Sequence, residues 1–135
     1  MKPQDNRPAG SPAEMMNNET QKNGNRYTEG VDTARLASMI GLCRRAGRLG
    51  CGTDNVTGAL KTGGVYLVLL AQDPSARTRK VVTDKCAYRG VQLIEVPLTR
   101  EQLGAACGMA SLSACAVTDP NFASAIAALA GHRDL

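Results

Sequence analysis

Large apolar residues fall along this chain in short groups, punctuated by glycine, proline and charge, and the spacing inside each group sets its structure. Leu36, Met39, Ile40 and Cys43 follow the three-and-four repeat of one helix face, with Asp32 as a cap before them and Gly47 as a stop after them. Arg44 and Arg45 then fall in the last turn of this first helix. A short extended piece, Leu49 to Cys51, leads to Gly52-Thr53, which opens a second short helix through Val56, Ala59 and Leu60 that stops at Gly63-Gly64. The run from Val65 to Ala71 is too continuous for a half-exposed strand and too short for a buried helix, so it predicts a central strand covered on both faces. Asp73-Pro74 is expected to cap a basic helix that runs to Tyr88-Arg89-Gly90. Leu93 to Val96 predicts a strand, and Thr99 with Gln102 a capping box for a helix ending at Gly108. Ala114 to Val117 predicts another buried strand. Asp119-Pro120 repeats the cap-plus-proline device before a last stripe of Phe122, Ile126 and Leu129. This alternation predicts an α/β fold, a three-layer α-β-α sandwich with a small mixed sheet of about four strands.

Residues 1–31 have few large apolar side chains and no period. They are expected to be a disordered N-terminal tail, leaving 32–135 as one folded domain. With 43% apolar residues but one Phe, three Tyr and no Trp, that domain must build a small aliphatic core. No uninterrupted apolar run approaches the roughly eighteen residues of a membrane span. The polar start shows no secretory h-region, so a cytoplasmic protein without membrane contact is expected. Five scattered cysteines and a lone His132 make no zinc set. Reduced thiols acting as small hydrophobes, and no cofactor, are expected.

The charge distribution changes the picture. Residues 1–31 are neutral overall, whereas between Arg44 and Arg89 nine basic residues face three acidic ones, a balance suited to a polyanionic partner. Enzymatic constellations fail one by one. Gly50-Cys51-Gly52-Thr53-Asp54-Asn55 lacks the last glycine of a dinucleotide fingerprint, and no Walker-type glycine precedes a Gly-Lys-Ser/Thr run. His132 has no identifiable partner, and carboxylates such as Asp73, Asp119 and Glu101 sit where helix caps want them. The chain is therefore expected not to be an enzyme. What remains is a glycine-flanked loop feeding a helix N-terminus, whose unpaired N–H groups suit phosphate oxygens. Arg44, Arg45 and Arg48 arrive just before it and Lys61 lies beyond it.

Several sequence blocks occur in a recognisable order: Leu-Cys-Arg-Arg-Ala-Gly-Arg-Leu (42–49), Gly-Thr-Asp-Asn-Val-Thr-Gly-Ala-Leu-Lys (52–61), Val-Leu-Leu-Ala-Gln-Asp (68–73), Asp-Lys-Cys (84–86), Glu-Val-Pro-Leu-Thr-Arg-Glu-Gln-Leu-Gly-Ala-Ala-Cys-Gly (95–108) and Ala-Val-Thr-Asp (116–119). The chain resembles the ribosomal-protein family of RNA kink-turn binders, which includes large-subunit proteins seven-Ae and thirty-e and a bacterial YlxQ-like branch. The resemblance covers 33–130, and the Leu-Gly-x-Ala-x-Gly run is its most specific part. It implies a non-catalytic cytoplasmic monomer that binds structured RNA, a kink-turn or ribosomal RNA, with the ribosome or its assembly factors as further partners. It also implies that the loop from Gly52 and Thr53 meets tandem sheared G·A pairs through Asp54, Asn55 and Gly58. A second loop, Met109, Ala110, Ser111 and Leu112, is implied to pack on an extruded base. Family members usually carry Asn or Lys where Asp54 stands, Glu or Gln where Asn55 stands, and Lys where Gly58 stands. A degraded base-edge contact costs roughly 1–3 kcal/mol. A translation-associated protein-interaction module without base readout is the alternative that these departures leave open.

Overall fold

The computed structural model describes residues 32–131; the proposed tail 1–31 and His132 lie outside them. Five helices and four strands alternate: α1 (Thr33–Arg45), β1 (Leu49–Cys51), α2 (Thr53–Thr62), β2 (Leu67–Leu70), α3 (Ala76–Arg89), β3 (Leu93–Glu95), α4 (Arg100–Ala106), β4 (Ala114–Val117) and α5 (Pro120–Leu129). The sheet is mixed, in the order β1-β4-β2-β3. β4 runs antiparallel to β1 (Cys51 opposite Cys115) and to β2 (Leu70 opposite Ala114), while β2 and β3 are parallel.

Strand alternation explains why the central strands read as unbroken apolar runs. Leu67, Leu69, Cys115 and Val117 face one layer, where they pack with Leu36 and Ile40 of α1, Leu103 of α4 and Ile126 of α5. Val68, Leu70, Ala114 and Ala116 face the other, against Val56 and Leu60 of α2 and Val82 and Cys86 of α3. The expected α-β-α sandwich is therefore the observed one, with three helices on one face and two on the other.

Most helix ends follow their sequence signals. Asp32 accepts from Arg35 N at 3.1 Å, Thr99 and Gln102 form the reciprocal capping box, and Asp119 accepts from Asn121 N at 2.7 Å and Phe122 N at 3.1 Å. The exception is α3. Its cap is Ser75, whose hydroxyl accepts from Thr78 N at 3.1 Å, and Pro74 precedes the cap instead of opening the helix. Asp73 is drawn away across the fold, where it accepts from Arg100 N at 2.8 Å, the first residue of α4. The helix expected to reach Gly108 stops at Ala106, and the strands expected over 65–71 and 93–96 are shortened to 67–70 and 93–95.

Candidate nucleic-acid interface

β1 enters α2 through Gly52, whose φ of 100° and ψ of 151° suit only a residue without a Cβ. Gly52 makes no side-chain cap, so the first N–H groups of α2 lack a side-chain acceptor at the cap position. Asp54 stands in that first turn, exposed. There its charge complements the helix dipole while occupying the place an incoming anion would take. Asn55 is exposed but tied back to the strand: its Nδ2 donates to Cys51 O at 2.6 Å, leaving its Oδ1 as the side chain's open acceptor. Thr53 is half-buried. Gly58 lies on the exposed face of α2, with nothing within 4 Å of where a Cβ would be.

The second loop is set beside this one by the sheet. Gly52 N donates to Ala114 O at 3.0 Å and Ala71 N to Ser113 O at 2.8 Å, so the entry to α2, the exit of β2 and the segment before β4 share one end of the molecule. The glycines of the Leu-Gly-x-Ala-x-Gly run account for the path of that segment. Gly108 takes a φ of +71° to turn the chain, and residues 109–111 then lie directly over Gly104. A Cβ on Gly104 would come within 2.8 Å of Met109 O and of Ser111 N and Cα. Backbone bonds fasten the loop to α4, from Met109 N to Gly104 O at 2.8 Å and from Leu112 N to Arg100 O at 3.0 Å. Met109, Ala110 and Ser111 are exposed. Leu112 is 3% exposed and anchors the loop in the core, so its side chain does not belong to the outer surface with the other three.

The arginines do not converge as expected. Arg44 reaches from the last turn of α1 to donate through Nη1 to Cys107 O, bracing the start of the second loop. Arg45 is exposed and lies over Gly41. Arg48 precedes β1, at the opposite end of that strand from Gly52, and its Nε is 4.0 Å from Asp119 Oδ2. Three residues of strand thus separate it from the helix entrance, and the expectation that all three arginines flank that entrance is corrected: Arg48 faces the start of α5. Lys61 lies in the last turn of α2, about 12 Å of helix from Thr53.

Two arrangements were invisible in the sequence. Cys43, Cys51, Cys107 and Cys115, far apart along the chain, gather in the core layer beneath the loops. Burial, reinforced by Cys51, pushes the Cys107 thiol up to about 12. Burial first and then Asp119 push Cys43 up to about 11, and burial holds Cys115 well above its ordinary value. These groups stay protonated and weakly nucleophilic near neutrality. Among the described residues, no three His, Cys, Asp or Glu side chains are grouped to hold a metal ion. The second arrangement is the Asp73–Arg100 link, which joins the exit of β2 to the helix under the second loop. Arg100 Nε, buried there without a hydrogen-bond partner, stands 3.7 Å from Asp73 Oδ2.

Comparison with known proteins agrees with this architecture. The RNA-binding protein YlxQ of Bacillus subtilis (strain 168) is 37% identical over 91 residues, covering 67% of this chain and 90% of that protein. The structure of a protein with unknown function from Bacillus halodurans C matches with a TM-score of 0.68 at 33% identity, covering 73% of this chain and 99% of that one. A 15.5kD RNA binding protein from Giardia lamblia, 16% identical, matches in fold with a TM-score of 0.58, covering 79% and 94% of the two chains. The model of the ribosomal protein L7Ae/L30e/S12e/Gadd45 family matches residues 34–127. Since that match runs from the first turn of α1 into the last turn of α5 and spans both loops, the chain belongs to the ribosomal protein L7Ae/L30e/S12e/Gadd45 family.

Proposed function

We propose that the protein binds structured RNA without catalysis, holding a kink-turn or ribosomal RNA bend between the α2 entrance (Gly52, Thr53, Asp54, Asn55 and Gly58) and the exposed part of the second loop (Met109, Ala110 and Ser111). The observation that carries this reading is the pairing of the two loops at one sheet end, made by the Gly52 N to Ala114 O bond and the Cys51–Cys115 register. One loop offers helix N–H groups for phosphate, the other an exposed thioether in Met109, 39% accessible, for an unstacked base. Arg44 and Arg45 act beside the second loop, and Lys61 farther along α2. The RNA-binding relative supports the reading. We place the protein in the cytoplasm as a monomer that meets the ribosome or its assembly factors through this RNA. No described helix is long and apolar enough to cross a membrane.

A second reading, a translation-associated protein-interaction module, is favoured by one observation: Asp54, Asn55 and Gly58 present a carboxylate, an amide whose Nδ2 is already bonded to Cys51 O, and no side chain where base readout would occur. Binding of a kink-turn RNA and of a matched duplex lacking the G·A pairs separates the two. Asp54→Asn with Gly58→Lys removes the repelling charge and adds a cation on an open helix face. The double variant is expected to bind the kink-turn at least about tenfold tighter, a gain of about 1.4 kcal/mol, with a much smaller gain for the duplex. Equal gains for both RNAs reduce the effect to charge alone. No gain for either moves the function to a protein partner.

A further inference from the structure

α2 and α3 lie side by side on one face of the sheet over a shared floor of Val56, Leu60, Val82 and Cys86. Above that floor the two helices do not close. A hollow of about 450 Å³ opens between Thr53, Asp54, Lys61, Arg77 and Lys85, and a second of about 350 Å³ continues past Lys61 to Gly63, Gly64 and Arg89. Lys61 lines both, so they form one groove beginning at the candidate RNA loop and following α2 to its end. The groove is open because α2 turns small residues towards it. At Gly58, Gly63 and Gly64 an added Cβ would find nothing within 4 Å.

Its chemistry is one-sided. Lys61, Arg77, Lys85 and Arg89 line it against the single carboxylate of Asp54, and none of these four cations has an acidic partner among the described residues. Neighbouring α3 cations outside the groove are neutralised: Arg79 by Glu95 at 2.7 Å and Lys80 by Asp84 at 3.0 Å. Next to Arg89, and outside the lining itself, Tyr88 is 82% exposed; the Arg89 guanidinium lies over one face of its ring, 5.3 Å from the centroid, and an unpaired base could stack on such an exposed ring. Val81 is the one large apolar residue lining the first hollow, with Leu60, Val65 and Val91 in the second, so the lining beside the loop site is mainly polar and cationic.

We propose that this groove is a backbone track, taking the phosphates of an RNA strand that leaves the loop site at Thr53 and runs along α2 towards Gly63. The proposal rests on the RNA-binding reading above and extends its footprint to α3. Arg77→Gln/Lys85→Gln/Arg89→Gln removes three groove cations and leaves the loop site and Lys61 untouched. Arg35→Gln/Arg79→Gln/Lys80→Gln removes the same charge elsewhere. Each full-length variant is titrated over a range of salt with a kink-turn RNA, once with one stem extended and once with that stem trimmed. The groove variant is expected to lower the slope of log K against log salt for the extended RNA by about two units, at roughly 0.7–0.9 per lost phosphate contact, while the control lowers it by less than one. Wild type should prefer the extended RNA, and the groove variant should lose that preference. Equal slopes for the two variants, with wild type binding normally, overturn the track and leave the cations to an acidic protein surface. If wild type binds neither RNA, the loop reading fails and the track falls with it.

Discussion

The same substitution, glycine to alanine inside a helix, is expected to act with opposite sign at Gly104 and Gly58. In an open helix the added methyl gains about 1 kcal/mol, because glycine loses more chain entropy on folding. Gly58 is such a position, so Gly58→Ala should gain that amount. At Gly104 the new Cβ meets three backbone atoms at 2.8 Å, and no side chain can swing aside to admit it. The loop must lift from α4. Overpacking of this kind costs about 1–3 kcal/mol. Lifting also weakens the Met109 N–H bond to Gly104 O, worth a further 0.5–1.5 kcal/mol or so. Set against the helix gain, Gly104→Ala should lose about 1–3 kcal/mol. For a domain of this size each kcal/mol moves Tm by roughly 4–8 °C. Thermal melts followed by circular dichroism should therefore show a fall of about 5–20 °C for Gly104→Ala and a rise of about 4–8 °C for Gly58→Ala. Kink-turn affinity should fall for Gly104→Ala beyond what unfolding explains, since the displaced segment carries Met109. Equal stabilisation by both substitutions would refute the packing of the second loop on α4.

Two further outcomes test the supports around the site. Asp119→Ala should cost about 0.5–2 kcal/mol in urea unfolding by uncapping α5, and Asp119→Asn should recover most of it; no loss would mean that the cap bonds contribute nothing. Stability should also fall in alkali. The Cys43 and Cys86 thiols ionise at about 11 when folded against an ordinary 9, so the unfolded chain releases their protons first. Their contribution is complete below pH 9 and is lost as pH rises towards 11, at up to about 1.4 kcal/mol per pH unit per thiol. Urea midpoints compared at about pH 8 and about pH 10 check the sign, and Cys86→Ala should shallow the fall.

Local signals were legible where the partner of a residue lies within one helical turn. The stripe Leu36, Ile40 and Cys43, the Thr99–Gln102 box and the Asp119-Pro120 start all belong to this class, and each stands where its spacing placed it. Asp73 was not legible, because its carboxylate serves Arg100, 27 residues away, and a serine two positions on takes over the cap. The candidate site divides the same way. Gly52 and the α2 entrance follow from a glycine before a helical pattern. The seating of the second loop over Gly104, the burial of Leu112, the turn of Arg48 towards Asp119 and the groove between α2 and α3 depend on which elements become neighbours. Sequence spacing carries no trace of that until the sheet order is known.

The position of β4 has a consequence for how the molecule is made. It is the last of the four strands in the chain, yet it lies between β1 and β2. A nascent chain that has not yet delivered Ala114 holds β1 with no partner and a β2–β3 pair with a bare edge, both open to pairing with other chains. Closing the long span between Cys51 and Cys115 costs entropy that is repaid only when β4 slots in. The four-stranded sheet therefore cannot close before Ala114–Val117 arrive, in the step that joins β1 to the β2–β3 pair. That step also creates the paired loops, so a half-made chain presents the α2 entrance without its opposite jaw, and binding competence and structural completion arrive together.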